Sequence, residues 1–314
     1  MQSRSRGRWL HDSVQGSVKP VSLENYEHLV RVHIDPALGR IKLKTLSPAH
    51  LQHFYRERLD SGLSPRTVQY LHALLHKALK QALRWELVPR NVATAVDPPQ
   101  LHREEIQLSP TQVRAFLQAA REDRLEALYV LAVHCGLRQG ELLGLRWEDI
   151  DLEAGTLQVR RTLTAAKGDG VFTAPKTAKS RRNVKLTAGA IDALIRHHER
   201  QLEERKQLAG LWQDQGLVFT SGVGTPINRH NLLTRSFKPL LGKVGLPHSV
   251  RFHDLRHTCA SLLVSKGVHP KLVQELLGHS NVSITLDTYS HVLPGMSNKT
   301  ASAIDDALSS PEVP

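Results

Sequence analysis

Two spacings of apolar residues divide this 314-residue chain, and they limit its fold more than any other feature. Up to about Leu145 the apolar residues recur at intervals of three and four, as on one face of a helix. Between Asp151 and Leu186 the interval drops to two: TLQVRRTLT and RRNVKLT alternate like strands, with the turn-forming AAKGDG between them. Helical spacing returns from Asp254, in one helix reaching Lys266 before Gly267 and another from Pro270 to Leu277 before Gly278, each closed by a glycine. The expected fold class is therefore mainly α with a small antiparallel β-sheet.

Local start signals agree. Ser47-Pro48, Ser64-Pro65 and Ser109-Pro110 each offer a serine hydroxyl to cap a helix and a proline suited to its first turn. The strongest helix runs over Arg66–Val88, where Val68, Leu71, Leu75, Ala78 and Ala82 form one stripe. Others are expected over Ser22–His33, Pro48–Asp60, from Ser109 to about Asp123, and through LEALYVLAVHCG to Gly136. Prolines and charges in DPPQLHREEIQL interrupt the pattern. The division expected is a basic tail over 1–19, a helical domain over 20–98, a linker over 99–107 and a second domain over 108–314.

Composition narrows the class. No apolar run approaches the roughly 20 residues that span a bilayer, and MQSRSRGRWLHDS lacks the apolar stretch of a secretory signal. Cys135 and Cys259 are too few for a disulfide framework and sit among apolar neighbours, which suits packing in a reducing cytosol. The net charge is +12, and residues 1–100 carry 15 Lys+Arg against 8 Asp+Glu, more than half of that excess. Such a balance points to a polyanion, most simply nucleic acid. On the Arg66–Val88 helix, Lys77, Lys80 and Arg84, with His76 beside them, form a basic face suited to a DNA backbone.

Six residues carry the chemistry: Arg138, Lys176, His253, Arg256, His279 and Tyr289. They supply two guanidinium groups, an ammonium, two imidazoles and a phenol, with no partner carboxylate. Cleaving a phosphodiester needs a nucleophile, stabilisation of the charge on the transition state, and an acid for the departing oxygen. Arg138 and Arg256 present permanently charged forks to phosphate oxygens. The phenol of Tyr289, with an ordinary pKa near 10, is ionised in only about one molecule in a thousand at pH 7, a deficit of about 4 kcal/mol. Two arginines and a neighbouring base, His253, can offset it. His279 would donate to a phosphate oxygen. His253 and Arg256 stand three apart at a helix start, so one turn brings both to one face.

The order of these residues resembles the tyrosine recombinase, or phage integrase, family: Arg, Lys, His-x-x-Arg, His or Trp, then Tyr. GLRQGELLGLRWEDID and HDLRHTCASLLVSKGVHPKLVQELLGHSNVSITLDTYSHV carry the likeness, which extends from about Leu108 to Leu293. It implies a SAM-like core-binding domain before a mixed α/β catalytic domain, the two clamping double-stranded DNA. It also implies that Lys176, in APKTAKSRR, protonates the 5′ oxygen, with Lys179 the alternative. Tyr289 would form a 3′-phosphotyrosyl link, and exchange would pass through a Holliday junction held by a homotetramer, without metal, ATP or other cofactor. DNA-bending or directionality proteins could assist. A cytoplasmic, nucleoid-associated protein of a bacterium, archaeon or phage is expected. In NKTASAIDDALSS, Ala301, Ile304 and Leu308 share a helical face of the kind that family members dock on a neighbouring protomer. Only some twenty residues precede Val21, too few for the arm-binding domain of many phage integrases, so a shorter recombinase or a fragment of a longer reading frame is expected.

Three rival readings have their own sequence support. His253 and His257, at i and i+4, have zinc-like spacing, but Arg256 separates them and no third ligand is evident. GVHPKLVQELLGHSNVSITLDTY has the outline of a helix-turn-helix regulator. A type IB topoisomerase would use closely similar chemistry; the hairpin and HDLRHT strings favour the recombinase.

Overall fold

The computed structural model describes residues 9, 16, 18, 20–100, 106–164, 171–173 and 181–289. The chain forms two compact units, Met1–Glu104 and Glu105–Pro314, and the expected linker at 99–107 spans that division. Each unit has its own apolar core.

The first unit is helical. Helix α1 (Pro20–Leu29) continues through a wider π turn, Val30–Ile34, into α2 (Asp35–Leu38), so the helical path runs beyond His33. Helices α3 (Pro48–Asp60) and α4 (Pro65–Arg84) follow. The serine caps form as the sequence suggests: Ser47 Oγ accepts from His50 N at 3.4 Å and Ser64 Oγ from Thr67 N at 3.2 Å. Leu51, Phe54, Tyr55, Val68, Leu71 and Leu74 fill the core. Helix α4 stops at Arg84, short of the expected Val88, because Glu86 turns into the left-handed region at φ 57°.

In the second unit α5 (Pro110–Ala120) is capped by Ser109 and Gln112 in a reciprocal box, and α6 (Glu126–His134) is buried from Glu126 to Val133 and apolar between its charged first residue and His134. A short α7 (Gln139–Leu143) leads to the strands β1 (Ile150–Asp151), β2 (Thr156–Val159), β3 (Thr162–Thr164), β4 (Val171–Thr173) and β5 (Arg182–Lys185). The expected strand TLQVRRTLT is two strands, interrupted at Arg160-Arg161. β2 lies between β1 and β5, whereas β3 pairs with β4, all antiparallel. Arg161 explains the break: it turns aside to pair with Asp149 at 2.9 Å and Glu148 at 2.8 Å.

Helix α8 (Ala188–Leu208) was not anticipated as an element, since its buried face mixes Ala190 and Leu194 with His197 and Gln201. Those two polar side chains bond the Val218 carbonyl at 2.7 and 3.0 Å, so the stripe is buried without being apolar. Helices α9 (Arg229–Leu232) and α10 (Lys238–Lys243) precede α11 (Phe252–Ser265), α12 (Pro270–Leu277) and α13 (Val282–Tyr289). The protein is mainly helical with small antiparallel sheets, and among the described residues no helix is long and apolar enough to cross a membrane.

Candidate active site

Three consecutive carbonyls end α12, and each takes a hydrogen bond from a different arginine. Arg182 Nε donates to Leu276 O at 2.5 Å, Arg256 Nη2 to Leu277 O at 2.6 Å, and Arg138 Nη2 to Gly278 O at 3.1 Å. The unpaired carbonyls and partial negative charge of a helix C-terminus suit cations there. Gly278 closes the helix in the left-handed conformation at φ 64°, which directs the chain into His279 and α13.

Arg256 comes from the second turn of α11 and is 2% exposed. Its Nη1 also donates to Gly136 O at 2.6 Å, so one guanidinium joins the end of α6 to the end of α12. Gly136, at φ 59°, leaves no room for a methyl: a Cβ there would lie 2.5 Å from Leu277 Cδ2. Arg138, just before α7, is half-buried, with 36% of its side chain exposed. Besides Gly278 it meets Glu141, whose Oε1 accepts from Nη1 at 2.7 Å and whose Oε2 accepts from the Arg138 backbone N–H at 3.0 Å. The expectation of no partner carboxylate is thus corrected. Glu141 is 4% exposed and also receives Arg182 at 3.0 Å. Burial would raise its pKa, but Arg182 and then Arg138 more than offset that and hold the carboxyl below its usual range.

His253 stands one turn before Arg256, with an exposed edge. Partial burial, then the charges of His257, Arg256, Arg138 and Arg251, push its pKa down to about 4. Its ring meets that of His257 edge to face, 4.8 Å between centroids. Among the described residues no group of three His, Cys, Asp or Glu is arranged to hold a metal ion. His279 is half-buried, with Nδ1 2.9 Å from the buried hydroxyl of Thr285. Burial first, then Arg256, Arg138, His257 and Arg182, push its pKa down to about 3. Both rings are therefore neutral at pH 7, and His279 is held by Thr285.

Arg138, His253, Arg256 and His279 share one basic site: both arginines bond the end of α12, and their charges lower the pKa of both histidines. Tyr289 ends α13, which packs on α11 and α12; its side chain, like the whole of Lys176 and Lys179, lies outside the described residues. So do Ala301, Ile304 and Leu308. Lys77, Lys80 and Arg84 are exposed on α4, in the other unit, with Lys77 Nζ 5.6 Å from the Tyr26 ring. Cys135 and Cys259 are buried, and burial pushes each thiol up to about 12. The sequence reading missed Glu141, Arg182 and Thr285. Glu141 had a local signal, three residues after Arg138; Arg182 had none, its partners lying 41 and 94 residues away.

Residues 107–295 match the model of the phage integrase family, and residues 7–59 match that of the phage integrase N-terminal SAM-like domain. The chain belongs to the phage integrase family. A tyrosine recombinase XerC-like protein of Caldanaerobacter subterraneus subsp. tengcongensis is 33% identical over 95% of this chain and 81% of its own. The ICEBs1 integrase of Bacillus subtilis (strain 168) is 28% identical over 92% and 79%. The fold is that of the Tn1549 transposon integrase, solved in complex with a circular intermediate DNA: TM-score 0.80 at 23% identity, over 97% of this chain and 98% of that one. A lambda integrase dimer bound to a COC′ core site aligns with TM-score 0.65 at 18% identity, over 91% and 76%. As a member of this family the chain is a tyrosine recombinase, an enzyme that cleaves and rejoins DNA strands.

Proposed function

We propose that this integrase-family recombinase binds double-stranded DNA and exchanges strands at specific sites through a 3′-phosphotyrosyl intermediate. The observation that carries the reading is the end of α12, where Arg138 and Arg256 converge beside His279 and immediately before the helix that ends in Tyr289. Tyr289 Oη attacks phosphorus while the bond to the 5′ oxygen breaks. The phenolic proton passes to neutral His253, and the departing 5′ oxygen takes a proton from Lys176. Arg138 and Arg256 stabilise the charge on the non-bridging oxygens, and neutral His279, its Nδ1 accepting from the Thr285 hydroxyl, donates its single N–H, on Nε2, to one of them. The 5′ hydroxyl of the partner strand then attacks the phosphotyrosine and releases Tyr289, so the phosphodiester is regenerated without an external energy source.

Lys77, Lys80 and Arg84 contact the DNA backbone through phosphates, which fixes position without reading sequence. Four protomers hold the Holliday junction, each passing its 296–314 segment to a neighbour, with accessory DNA-bending proteins as further partners. The protein acts on cytoplasmic DNA in a bacterium, archaeon or phage-infected cell.

Incubation with nicked duplexes cut from the genomic flanks of the gene tests the reading. The expected product is a denaturant-resistant protein–DNA adduct that peptide mapping assigns to Tyr289. Tyr289→Phe should abolish it while DNA affinity stays within about threefold. An adduct on another residue, or free cleaved ends that depend on a metal ion, would refute this chemistry. Relaxation of supercoils without strand exchange would favour the topoisomerase.

A further inference from the structure

Arg182 differs from the other two arginines at the end of α12. Only 6% of its side chain is exposed, against 36% for Arg138. Its three nitrogens are directed inward: Nε to Leu276 O at 2.5 Å, Nη1 to Glu141 Oε1 at 3.3 Å and Nη2 to Glu141 Oε2 at 3.0 Å. Arg138, by contrast, spends one side-chain N–H on Glu141 and one on Gly278 O, and 36% of its side chain stays exposed.

The two contacts of Arg182 depend on each other. A buried carboxylate with a single cationic partner would draw that partner into a two-pronged pair, the geometry guanidinium and carboxylate prefer. Arg182 already occupies both oxygens of Glu141 from the side of β5. Arg138 is left with one short bond to Oε1, and its second nitrogen is free to reach Gly278 O. The same residue holds Leu276 O, two positions before the carbonyl that Arg138 takes. Strand β5, the carboxylate and the helix end are thereby fixed as one piece.

On the recombinase reading given above, we infer that Arg182 is a positioning residue for strand cleavage: by saturating Glu141 and holding Leu276 O, it leaves the Arg138 fork open to the scissile phosphate and sets the helix end that delivers His279. It touches no substrate.

The test measures the rate of adduct formation on the nicked flank duplex beside equilibrium DNA affinity. Arg182→Gln should slow adduct formation on the order of 100-fold, the scale of loss when a catalytic group is misplaced by about an ångström, with affinity and its salt dependence within about threefold of wild type. Arg182→Lys, which keeps the charge and one bond to Glu141, should regain part of the rate. In a Glu141→Gln background the further loss on Arg182→Gln should shrink below about fivefold, because the two act as a unit.

A full 100-fold loss in that background would overturn the inference. So would an unchanged rate in Arg182→Gln, or an affinity that falls in step with the rate and loses salt dependence, which would make Arg182 a DNA ligand. Should Arg182→Gln fail to fold by circular dichroism, Glu141→Gln/Arg182→Met removes both buried charges together. Its rate should lie within about fivefold of that of Glu141→Gln alone, and a further loss near 100-fold would refute the role. Failure of wild type to form any adduct is a different result, which refutes the recombinase reading itself.

Discussion

Arg256 is both a structural clamp and a proposed catalytic group, and the two roles separate experimentally. Its forks satisfy carbonyls at the ends of two helices, Gly136 O and Leu277 O. Arg256→Ala leaves both buried acceptors without that donor, at about 1–3 kcal/mol each. A clear fall in melting temperature is therefore expected along with loss of cleavage. Arg256→Lys should keep more stability yet still cleave far more slowly, since an ammonium cannot present the fork.

The histidines make a pH prediction of definite sign. His279 and His253 titrate at about 3 and about 4 in the folded chain, against about 6.5 unfolded. Between these values the unfolded chain binds more protons, so their contribution to stability is complete above pH 6.5 and falls away as pH drops toward 3. Melting temperature followed from pH 7.5 to 4 should fall in the free protein, and His279→Asn should flatten the curve. A bound phosphate would favour the protonated rings and oppose the same trend. At this scale the sequence disclosed which residues bear charge but not who neutralises them. Glu141 sits three positions from Arg138 and was legible in principle; Arg182 acts across 94 residues on Leu276.

At the scale of elements, the three Ser-Pro helix starts were legible because a cap is made within four residues. The interruption of TLQVRRTLT was not, since it depends on Asp149 reaching Arg161 from outside the strand. Close packing of α7 on β3 gives a direct test. A Cβ at Gly140 would lie 2.5 Å from Thr162 Oγ1 and 2.8 Å from the Leu163 carbonyl, which belongs to backbone and cannot rotate away. Gly140→Ala should move α7, and Glu141 with it, so that thermal stability drops and cleavage falls more than DNA affinity does. On α4, changing Lys77, Lys80 and Arg84 together to Gln should weaken binding to all duplexes alike. If all three meet phosphates, the slope of log affinity against log salt should become shallower by about 2.7, near 0.9 for each lost contact. An unchanged slope would place DNA elsewhere.

For the whole molecule, the two units have separate cores and differ in charge, the first hundred residues contributing 15 Lys+Arg against 8 Asp+Glu. Assembly is the property belonging to this scale. Removal of residues 296–314 should leave cleavage of a single nicked duplex largely intact while abolishing tetramers on paired sites in sedimentation. Tetramers of undiminished population would mean that protomers meet through another surface.

The sequence by itself determined the class of fold, the helix starts and the order of the reactive groups. These rest on periodicity, capping and short spacings, all written within a few neighbouring positions. Only the tertiary structure decided that three arginines from a loop, a strand and a helix would meet the last carbonyls of α12, and that one carboxylate would hold two of them. The bonds to those carbonyls join residues 21 to 140 positions apart. Backbone carbonyls are the same at every position, so no pattern of side chains announces which of them a distant guanidinium will find.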